Sequence, residues 1–423
     1  MPMFASLAGS WTSLKKIFSY KYWMATASIG GSYLTGAVVD SSNNIYLRNG
    51  AIVTKLDALG NIIWSYSYSN IASSYGTQPS IILDPTGDII MAYSNLSPNY
   101  AGGIAKISRT DGSVLWTRNT SSAIGTGWFN VCAASVDPSG NVYFICDDGS
   151  TTNSSYMIVK FNNAGTWQWQ RKIDIGTVIS TSLLMDLPKV VIANANYVYF
   201  GGMAGNGSVP FYGGLTSAGA FSWAKTQTPY GNITGIALDS SGNVYFGDGG
   251  LNTSGILKFS ATGTLAWQKT IKTSAGGTYA GSSFINIDTN NIVYYVPNSA
   301  NPPIIATMDA STGSIVRQRN LYSSTRNLTS IINIAPFPVI SNSIFVAAMS
   351  PGNITSYGVI PNGAATVSGG EWSMPIPTNI VTDYGRTITA RTPTITTITP
   401  TITTTALTRT INVPSNIALT PLS

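Results

Sequence analysis

Histidine is absent from the 423-residue sequence, and charged side chains make up only 9% of it. Without histidine the chain lacks the commonest general base and the commonest metal ligand of proteins. The low charge does not indicate disorder, because 43% of the residues are hydrophobic and many are β-branched or aromatic. Glycine, tyrosine, serine, threonine and asparagine replace the missing charges. The composition is typical of an all-β protein whose surface is solvated by hydroxyl and amide groups.

Positive charge is only slightly in excess, with a net charge of +6, and no run of Lys and Arg is longer than two residues. We therefore expect no nucleic-acid partner. No stretch approaches 18 uninterrupted apolar residues, so we expect no membrane span. The N-terminal residues show no basic region followed by an apolar one, so we expect no signal peptide and synthesis in a cytosol.

The two cysteines, Cys132 and Cys146, are placed symmetrically about the turn sequence DPSGN at 137–141. In a simple hairpin centred on position 139 they would face each other across two strands. A disulfide would fit that geometry, but a cytosolic origin favours two reduced, packed thiols.

One phrase recurs along the chain: apolar residues, an Asp, two small residues, Gly-Asn or a similar pair, and then an apolar-aromatic strand. The Asp favours a turn because its side chain hydrogen-bonds the backbone ahead of it, and the Gly supplies a positive φ. The copies are VVDSSNNIYL (38–47), ILDPTGDIIM (82–91), SVDPSGNVYF (135–144), VIANANYVYF (191–200), ALDSSGNVYF (237–246), NIDTNNIVYY (286–295) and the weaker VISNSIFVA (339–347).

A second phrase follows each copy and runs from a Lys-apolar pair through a Gly to a short strand that ends in Trp. The Trp is replaced by Arg317 in the sixth copy, and the degenerate seventh copy is expected to end near Trp372. The glycines of this second phrase are Gly60, Gly112, Gly165, Gly219, Gly263 and Gly313, at intervals of 52, 53, 54, 44 and 50 residues. The five tryptophans are Trp64, Trp116, Trp169, Trp223 and Trp267.

A period near 50 residues with four short strands and turn residues between them predicts the blade of a β-propeller. We therefore predict an all-β fold: a propeller of about seven four-stranded blades over residues 35–372, with Trp and Tyr packed between blades. The repeats resemble the seven-bladed propeller repeats known as SBBP and, more loosely, the pyrroloquinoline-quinone-type repeat. This resemblance implies a fold and leaves function open, since such repeats occur in enzymes, scaffolds and adhesins alike.

The two ends of the chain lie outside the repeats. Residues 1–34 are predicted to contribute a strand that completes the last blade, with an independent arm gripping a partner as the alternative. Residues 373–423 are rich in Thr, Ile and Pro, and from 387 to 410 their only charges are Arg391 and Arg409. This segment is either a hydroxyl-rich linker or an extended β-rich arm that adds as a strand to other subunits; we predict the arm.

No residue is predicted to be catalytic or to bind a metal or cofactor. Quinone-dependent propellers resemble one another in a calcium-binding acidic set and adjacent cysteines, whereas the cysteines here are 14 positions apart. Asp147-Asp148-Gly149 is the only adjacent acidic pair; it is interpreted as a loop turn, with a weak cation site as the alternative. The loops at 97–103 and 201–214 are rich in Tyr, Asn, Ser and Gly, which suits sugar or protein recognition.

These observations together predict a non-enzymatic structural protein of a bacteriophage particle, a tail or tail-fibre component that displays a propeller. Its expected partners are other virion structural proteins, bound through the C-terminal arm, and a glycan of the host surface. A capsid decoration protein, a bacterial surface or scaffold propeller and a degenerate quinone-type dehydrogenase are the alternatives. The expected location is the virion, after synthesis in the host cytoplasm.

Overall fold

The structure is a computed structural model whose described elements are all β-strands joined by turns. None of the described residues forms a helix that could cross a membrane. The described residues are 22–28, 34–69, 71–72, 81–95, 102–120, 131–147, 155–174, 187–204, 209–228, 231, 233–249, 254–273, 283–297, 304–323, 330–336, 343–350, 354–361, 367–369, 372–374, 379–383, 387–391, 394–397, 402–403, 409–411 and 417–422.

Six antiparallel sheets, called blades 1 to 6, each contain four strands that follow one another in the chain. A strand β1 (Tyr22–Ser28) precedes blade 1, and a two-residue strand β6 (Ile71–Ala72) pairs with the end of the second strand of blade 2, beyond the part that pairs with the first strand. The strands of blades 1 to 3 are β2 (Leu34–Val39), β3 (Ile45–Asn49), β4 (Ile52–Leu56) and β5 (Ile62–Tyr68); β7 (Ile81–Leu83), β8 (Ile89–Asn95), β9 (Gly102–Ile107) and β10 (Val114–Thr120); β11 (Val131–Val136), β12 (Val142–Asp147), β13 (Ser155–Phe161) and β14 (Trp167–Asp174).

Blades 4 to 6 repeat the same construction. Their strands are β15 (Leu187–Ala193), β16 (Tyr197–Ala204), β17 (Val209–Thr216) and β18 (Phe221–Thr228); β19 (Ile233–Leu238), β20 (Val244–Gly249), β21 (Ser254–Phe259) and β22 (Leu265–Thr273); β23 (Ser283–Ile287), β24 (Ile292–Pro297), β25 (Ile304–Asp309) and β26 (Ile315–Asn320). The alternation of apolar residues in these strands buries one side chain in two against each neighbouring blade.

The seventh repeat is built differently. It supplies three strands, β28 (Ser330–Pro336), β29 (Ser343–Ser350) and β30 (Ile354–Pro361), and the fourth position beside β30 is taken by β1. The chain does not turn back along β30. Instead β31 (Val367–Gly369) and β32 (Trp372–Met374) form a hairpin that pairs with β27 (Tyr322–Ser323). The prediction of about seven four-stranded blades is therefore corrected to six such blades, beside this composite sheet.

The first strands of the sheets stand at the centre of the fold. Each contacts the first strand of the next sheet, in the order β2, β7, β11, β15, β19, β23 and β28, and β28 contacts β2. The fourth strands are consequently at the outer rim. This arrangement of radial four-stranded antiparallel sheets is a β-propeller, as the repeat spacing predicts.

The C-terminal segment forms a belt of six strands around this rim. The strands β33 (Asn379–Asp383), β34 (Thr387–Arg391), β35 (Thr394–Thr397), β36 (Ile402–Thr403) and β37 (Arg409–Ile411) pair with the outer strands of blades 5, 4, 3, 2 and 1 in turn. The last, β38 (Ile417–Leu422), pairs with β1 of the composite sheet. Strand addition was predicted to involve other subunits, whereas in this structure each belt strand joins a sheet of its own chain, where tethering makes the effective concentration high.

The outer strand of each of the six blades also contains a β-bulge. In all six blades the bulge leaves one residue without a register partner, immediately before the position of the repeat Trp. These residues are Ile63, Leu115, Gln168, Ser222, Ala266 and Val316. A bulge bends an edge away from a flat geometry and so discourages unwanted strand pairing. In blades 1 to 5, the bulge therefore disfavours strand pairing along the first half of the outer strand, and the belt strand pairs with the second half.

The belt strand β38 holds the two ends of the chain together in the composite sheet, from Tyr22 opposite Leu422 to Ala27 opposite Ile417. We expect truncation after Ile411 to lower the thermal unfolding temperature, because β1 then becomes an unprotected edge. Far-ultraviolet circular dichroism follows the transition, and a chain lacking only Ser423 is the control. Equal unfolding temperatures would contradict a stabilising role for β38.

Candidate functional site

The strands end on two faces of the propeller that differ in their connections. One face, the turn face, carries the short hairpin turns between first and second strands and between third and fourth strands. The opposite face carries the connections between blades, of which 121–130, 175–186 and 274–282 lie outside the described residues. The loops 97–103 and 201–214, predicted to suit recognition, belong to that second face, and only 102–103, 201–204 and 209–214 of them are described.

On the turn face the repeated Asp organises each turn through both oxygens of its carboxylate. In blade 3, Asp137 Oδ1 accepts the backbone N–H groups of Ser139 and Asn141, each at 2.9 Å. Its Oδ2 accepts the side-chain amide of Asn141 at 2.7 Å and the hydroxyl of Tyr143 at 3.0 Å. The same four contacts are formed by Asp40 and Asp239.

The third residue after the Asp has a positive φ in these turns, as the recurring Gly predicts. Gly140 has a φ of 81°, and Asn43 takes the same position in blade 1 with a φ of 62°. Asn is one of the few residues with a side chain that tolerate this region. The first and sixth copies therefore keep the backbone geometry without the Gly, since Asn291 also has a positive φ, of 59°. The copy at 191–200 has a shorter turn, closed by the N–H of Asn194 and the carbonyl of Tyr197.

In blades 3 and 5 a Lys on the third strand and the Trp on the fourth strand both reach a turn of the next blade. In blade 3, Lys160 Nζ lies 5.2 Å from the centre of the Tyr143 ring and donates to the carbonyl of Ser217 at 2.9 Å. The indole of Trp169 donates to the same carbonyl at 3.1 Å. Burial, and then the Asp137 charge and its hydrogen bond, raise the pKa of Tyr143 far above its usual range, so the phenol stays a donor.

The same contacts recur around the ring. Blade 5 repeats both, since Lys258 and Trp267 donate to the carbonyl of Ala310 at 2.8 and 3.2 Å. Further examples are Lys55 to the Arg109 carbonyl, Trp116 to the Asn163 carbonyl and Trp223 to the Ala261 carbonyl. The packing of four repeat tryptophans between blades is therefore accompanied by a hydrogen bond, whereas the buried indole N–H of Trp64 has no acceptor among the described residues.

Blade 2 replaces the Tyr of this arrangement by Ile90 and uses an ion pair instead. Lys106 Nζ lies 2.6 Å from Asp84 Oδ2, and both side chains are almost fully buried. Burial by itself would raise the pKa of Asp84, but the hydrogen bonds from Lys106 and Thr86 outweigh it and hold that pKa below its usual value. The carboxylate is thus ionised and committed to the fold.

A buried acid outside the turns was missed by the sequence analysis. Asp248 is 0% exposed, and its Oδ2 accepts the amide of Gln227, on the neighbouring blade, at 2.5 Å. Gln227 in turn accepts the hydroxyl of Tyr212 at 3.4 Å. A methyl group on Gly231 would lie 2.2 Å from Asp248 Oδ1, so the backbone must approach this carboxylate closely. Its burial and these contacts give Asp248 a role in joining blades 4 and 5.

The position of Asp248 is detectable in the repeat. It is the ninth residue after the turn Asp, where the other copies place Asn49, Tyr93, Cys146 and Pro297. A charged residue where the other copies place uncharged ones is the signal that could have identified it. One position earlier, Arg48 is also 0% exposed and donates to the carbonyls of Gly50 and Ala92, joining blades 1 and 2.

The cysteines do not face each other. Cys146 lies opposite Val131, because a bulge between Val131 and Ala133 displaces Cys132 from the register that a simple hairpin would give. Cys132 packs in the cluster between blades 3 and 4, and Cys146 in the cluster between blades 2 and 3. The two thiols are therefore on opposite faces of one sheet, and both are buried and form no disulfide.

The remaining predicted positions are distributed over the molecule. Asp147 ends β12, whereas Asp148 and Gly149 lie outside the described residues. Arg317 takes the place of the repeat Trp on β26, and Trp372 lies in the β31–β32 hairpin rather than in the composite sheet. In the described part of the chain, no three Cys, Asp or Glu side chains are grouped closely enough to hold a metal ion.

No protein-family model and no curated protein matches this chain. Among solved structures it is similar to the Dos1 propeller, at 12% identity over 77% of each chain with a TM-score of 0.48. It is similar to the polysaccharide lyase Uly1, at 9% identity over 78% of this chain and 90% of that one, with a TM-score of 0.48.

A quinohemoprotein alcohol dehydrogenase from Comamonas testosteroni is similar at 12% identity over 79% of this chain and 67% of that one, with a TM-score of 0.43. Likeness at these levels transfers no activity to the chain.

The turn carboxylate is expected to contribute measurably to stability. Asp137→Ala leaves the buried Tyr143 hydroxyl and the Asn141 amide without their acceptor, and we expect a loss of about 2 kcal/mol in the free energy of unfolding. Urea unfolding followed by tryptophan fluorescence measures it. Asp309→Ala, at an exposed turn with acceptor bonds only to Ser311 and Thr312, is the matched control and should lose less. Equal losses would contradict the special role of the Tyr contact.

The Asp84–Lys106 pair predicts a pH dependence. Because the pKa of Asp84 is lower in the folded chain, the ionised group stabilises the fold above its unfolded pKa, near 4, and this contribution is lost as the pH falls through the folded pKa. Asp84→Asn should therefore destabilise the chain more at about pH 7 than at about pH 3. Urea unfolding of both proteins at the two pH values gives the difference, and a difference that does not change with pH would refute the prediction.

Proposed function

We propose that the chain is a non-enzymatic structural component of a bacteriophage particle, a tail or tail-fibre protein that displays a propeller. The belt is the observation that carries this proposal. The C-terminal segment follows the rim of its own propeller in the reverse order of the blades. Many inter-strand hydrogen bonds must therefore break before any blade separates from the ring. Such a construction suits a protein that persists outside cells, where resistance to unfolding is a matter of rate.

The composite sheet is proposed to act as the seventh blade. Its first strand contacts the first strands of blades 6 and 1, and its outer positions hold β1 and β38. A blade made from both chain ends closes the ring by pairing, so that opening the ring requires loss of an entire sheet.

Partners are proposed on two parts of the surface. Belt strands stand last in their sheets, so their outer edges offer backbone donors and acceptors to neighbouring subunits of the particle. The Tyr-, Asn- and Gly-rich sequences of the second face are proposed to bind a host-surface glycan by stacking and amide hydrogen bonds. The buried, fully engaged turn carboxylates support a binding role rather than hydrolysis by paired acids.

The test is the native mass of the full chain by analytical ultracentrifugation, beside a chain truncated after Ser373, with glycan-array binding as a second measurement. We expect the full chain to assemble beyond its 44.6 kDa monomer and to bind glycans. The truncated chain should stay monomeric, with its fold checked by near-ultraviolet circular dichroism. A full chain that remains a monomer and binds no glycan overturns the proposal. Quinone or calcium retained through purification would favour a degenerate dehydrogenase instead.

A further inference from the structure

Blade 2 departs from the repeat at its contact with blade 3. In blades 1, 3 and 5, Oδ2 of the turn Asp accepts the amide of an Asn four residues later and the hydroxyl of a Tyr six residues later. In blade 2 these positions hold Asp88 and Ile90, which offer no amide or hydroxyl donor to Asp84. Asp84 Oδ2 lies instead 2.6 Å from Lys106 Nζ, so this carboxylate oxygen faces an amine.

The Lys of blade 2 also ends on a different kind of acceptor. In blades 1, 3 and 5 the third-strand Lys donates to a backbone carbonyl of the next blade. Lys106 Nζ instead lies 2.8 Å from Oδ1 of the Asn163 side chain, and the backbone carbonyl of Asn163 accepts the indole N–H of Trp116 at 3.2 Å. The amine of blade 2 therefore meets a side-chain amide, which can react without breaking the backbone.

We propose that Lys106 and Asn163 become joined by an isopeptide bond between their side chains, with Asp84 as the base that takes a proton from the amine. Lys106 Nζ stands between the two partners, at 2.6 Å from Asp84 Oδ2 and 2.8 Å from Asn163 Oδ1. The attacked carbon, Asn163 Cγ, is one carbonyl bond of about 1.23 Å beyond Oδ1, so Nζ lies within about 4 Å of it. Nucleophile, base and acceptor are thus held together as an intramolecular reaction requires.

The surroundings of Lys106 suit an amine nucleophile. Lys106 is 7% exposed and Asp84 4%. Lys106 lies opposite Ile90 and Trp116 in the registers of the two neighbouring strands, so its stem runs beside apolar side chains. Burial of both charged groups limits the cost of moving one proton from the ammonium to the carboxylate, because the neutral pair needs less solvation than the ion pair. The ion pair is the resting state, and the neutral pair is the reactive one.

The amide of Asn163 is held from both sides. Lys106 contacts it from blade 2, and the turn of its own blade packs against it, since a methyl group added to Gly140 would lie 3.0 Å from Asn163 Cγ. Asn163 is nevertheless only half-buried, which leaves a route to solvent for a small leaving group.

The reaction is a transamidation that needs no oxidant or other co-reactant. Asp84 takes one proton from the Lys106 ammonium, and the amine lone pair then forms the Nζ–Cγ bond to Asn163. A second Nζ proton passes to Nδ2, the Cγ–Nδ2 bond breaks, and Nδ2 leaves as ammonia. The proton held by Asp84 is released with it, so that the products are a secondary amide and one ammonium ion.

The bond ties blades 2 and 3 together covalently and closes a loop over residues 106–163. Separation of these two blades then requires more than loss of packing and hydrogen bonds. In the linked chain Lys106 carries no charge, so the pH dependence expected for its ion pair with Asp84 is that of chains in which the bond has not formed. The inference does not depend on the phage role and stands or falls separately.

The mass of the purified full chain tests the inference. We expect a mass lower than that of the linear chain by one ammonia, and a tryptic digest in which residues 56–109 and 161–171 form one branched peptide, uncleaved after Lys106. A mass equal to that of the linear chain overturns the inference. Loss of ammonia without the branched peptide, which indicates a succinimide at an Asn, also overturns it, as does loss of water with a link at Asp84.

Variants test the role of each group, with the linked fraction followed by mass spectrometry against time after a short expression pulse. Lys106→Arg keeps a cation beside Asp84 and should give no linked chain. Asp84→Asn removes the base and should slow linkage about a hundredfold. Asp239→Asn, at the same turn position of blade 5, where Lys258 ends on a peptide carbonyl, is the matched control and should leave linkage unchanged.

Near-ultraviolet circular dichroism checks that each variant is folded. Undiminished linkage in a folded Asp84→Asn chain would overturn the assignment of the base. If that variant does not fold, the mass of the wild-type chain still decides whether the bond exists.

Discussion

The contact between one blade and a turn of the next is the interaction on which the rest of the structure depends. A sheet with two apolar faces cannot stand alone, and each blade here buries its faces against two neighbours. Packing alone would allow neighbouring sheets to slide. In blades 3 and 5 a Lys donor and a Trp donor end on a single carbonyl of the next blade, Ser217 or Ala310, and so fix the position of one blade relative to the next.

The scarcity of charge in this protein follows from the same device. Most Asp residues of the repeat are occupied in turns, and the third-strand Lys residues are occupied between blades. Asp84 and Lys106 show how the arrangement tolerates variation, since blade 2 has an ion pair at 2.6 Å where blades 1, 3, 5 and 6 have a hydrogen bond from Tyr to the turn Asp. Few ionised groups are left for chemistry in the described residues, and the surface is solvated by neutral side chains.

Edges are the second constraint, because every radial sheet presents an unpaired outer strand. The chain meets it in two ways along the same strands. In blades 1 to 5, bulges interrupt the turn-face half of each outer edge, and belt strands pair with the other half. In the composite sheet the two outer positions are taken by β1, near the N-terminus, and by β38, near the C-terminus. Ring closure and edge protection are thus achieved by one segment.

Local chemistry made much of this fold predictable from the sequence. The Asp and Gly of each turn act within five residues, so the phrase around Asp137 predicts its own hairpin, and its recurrence near every 50 residues predicts radial blades. Long-range register was not predictable in that way. A bulge of one residue moved Cys132 out of line with Cys146, and the belt depends on pairings such as Thr382 with Thr270, more than a hundred residues apart. The burial of Asp248 likewise arises only when blades 4 and 5 come together, since its partner Gln227 belongs to the other sheet. Turn chemistry is a property of neighbouring residues, whereas edge pairing and burial are decided by which sheets the completed ring brings into contact.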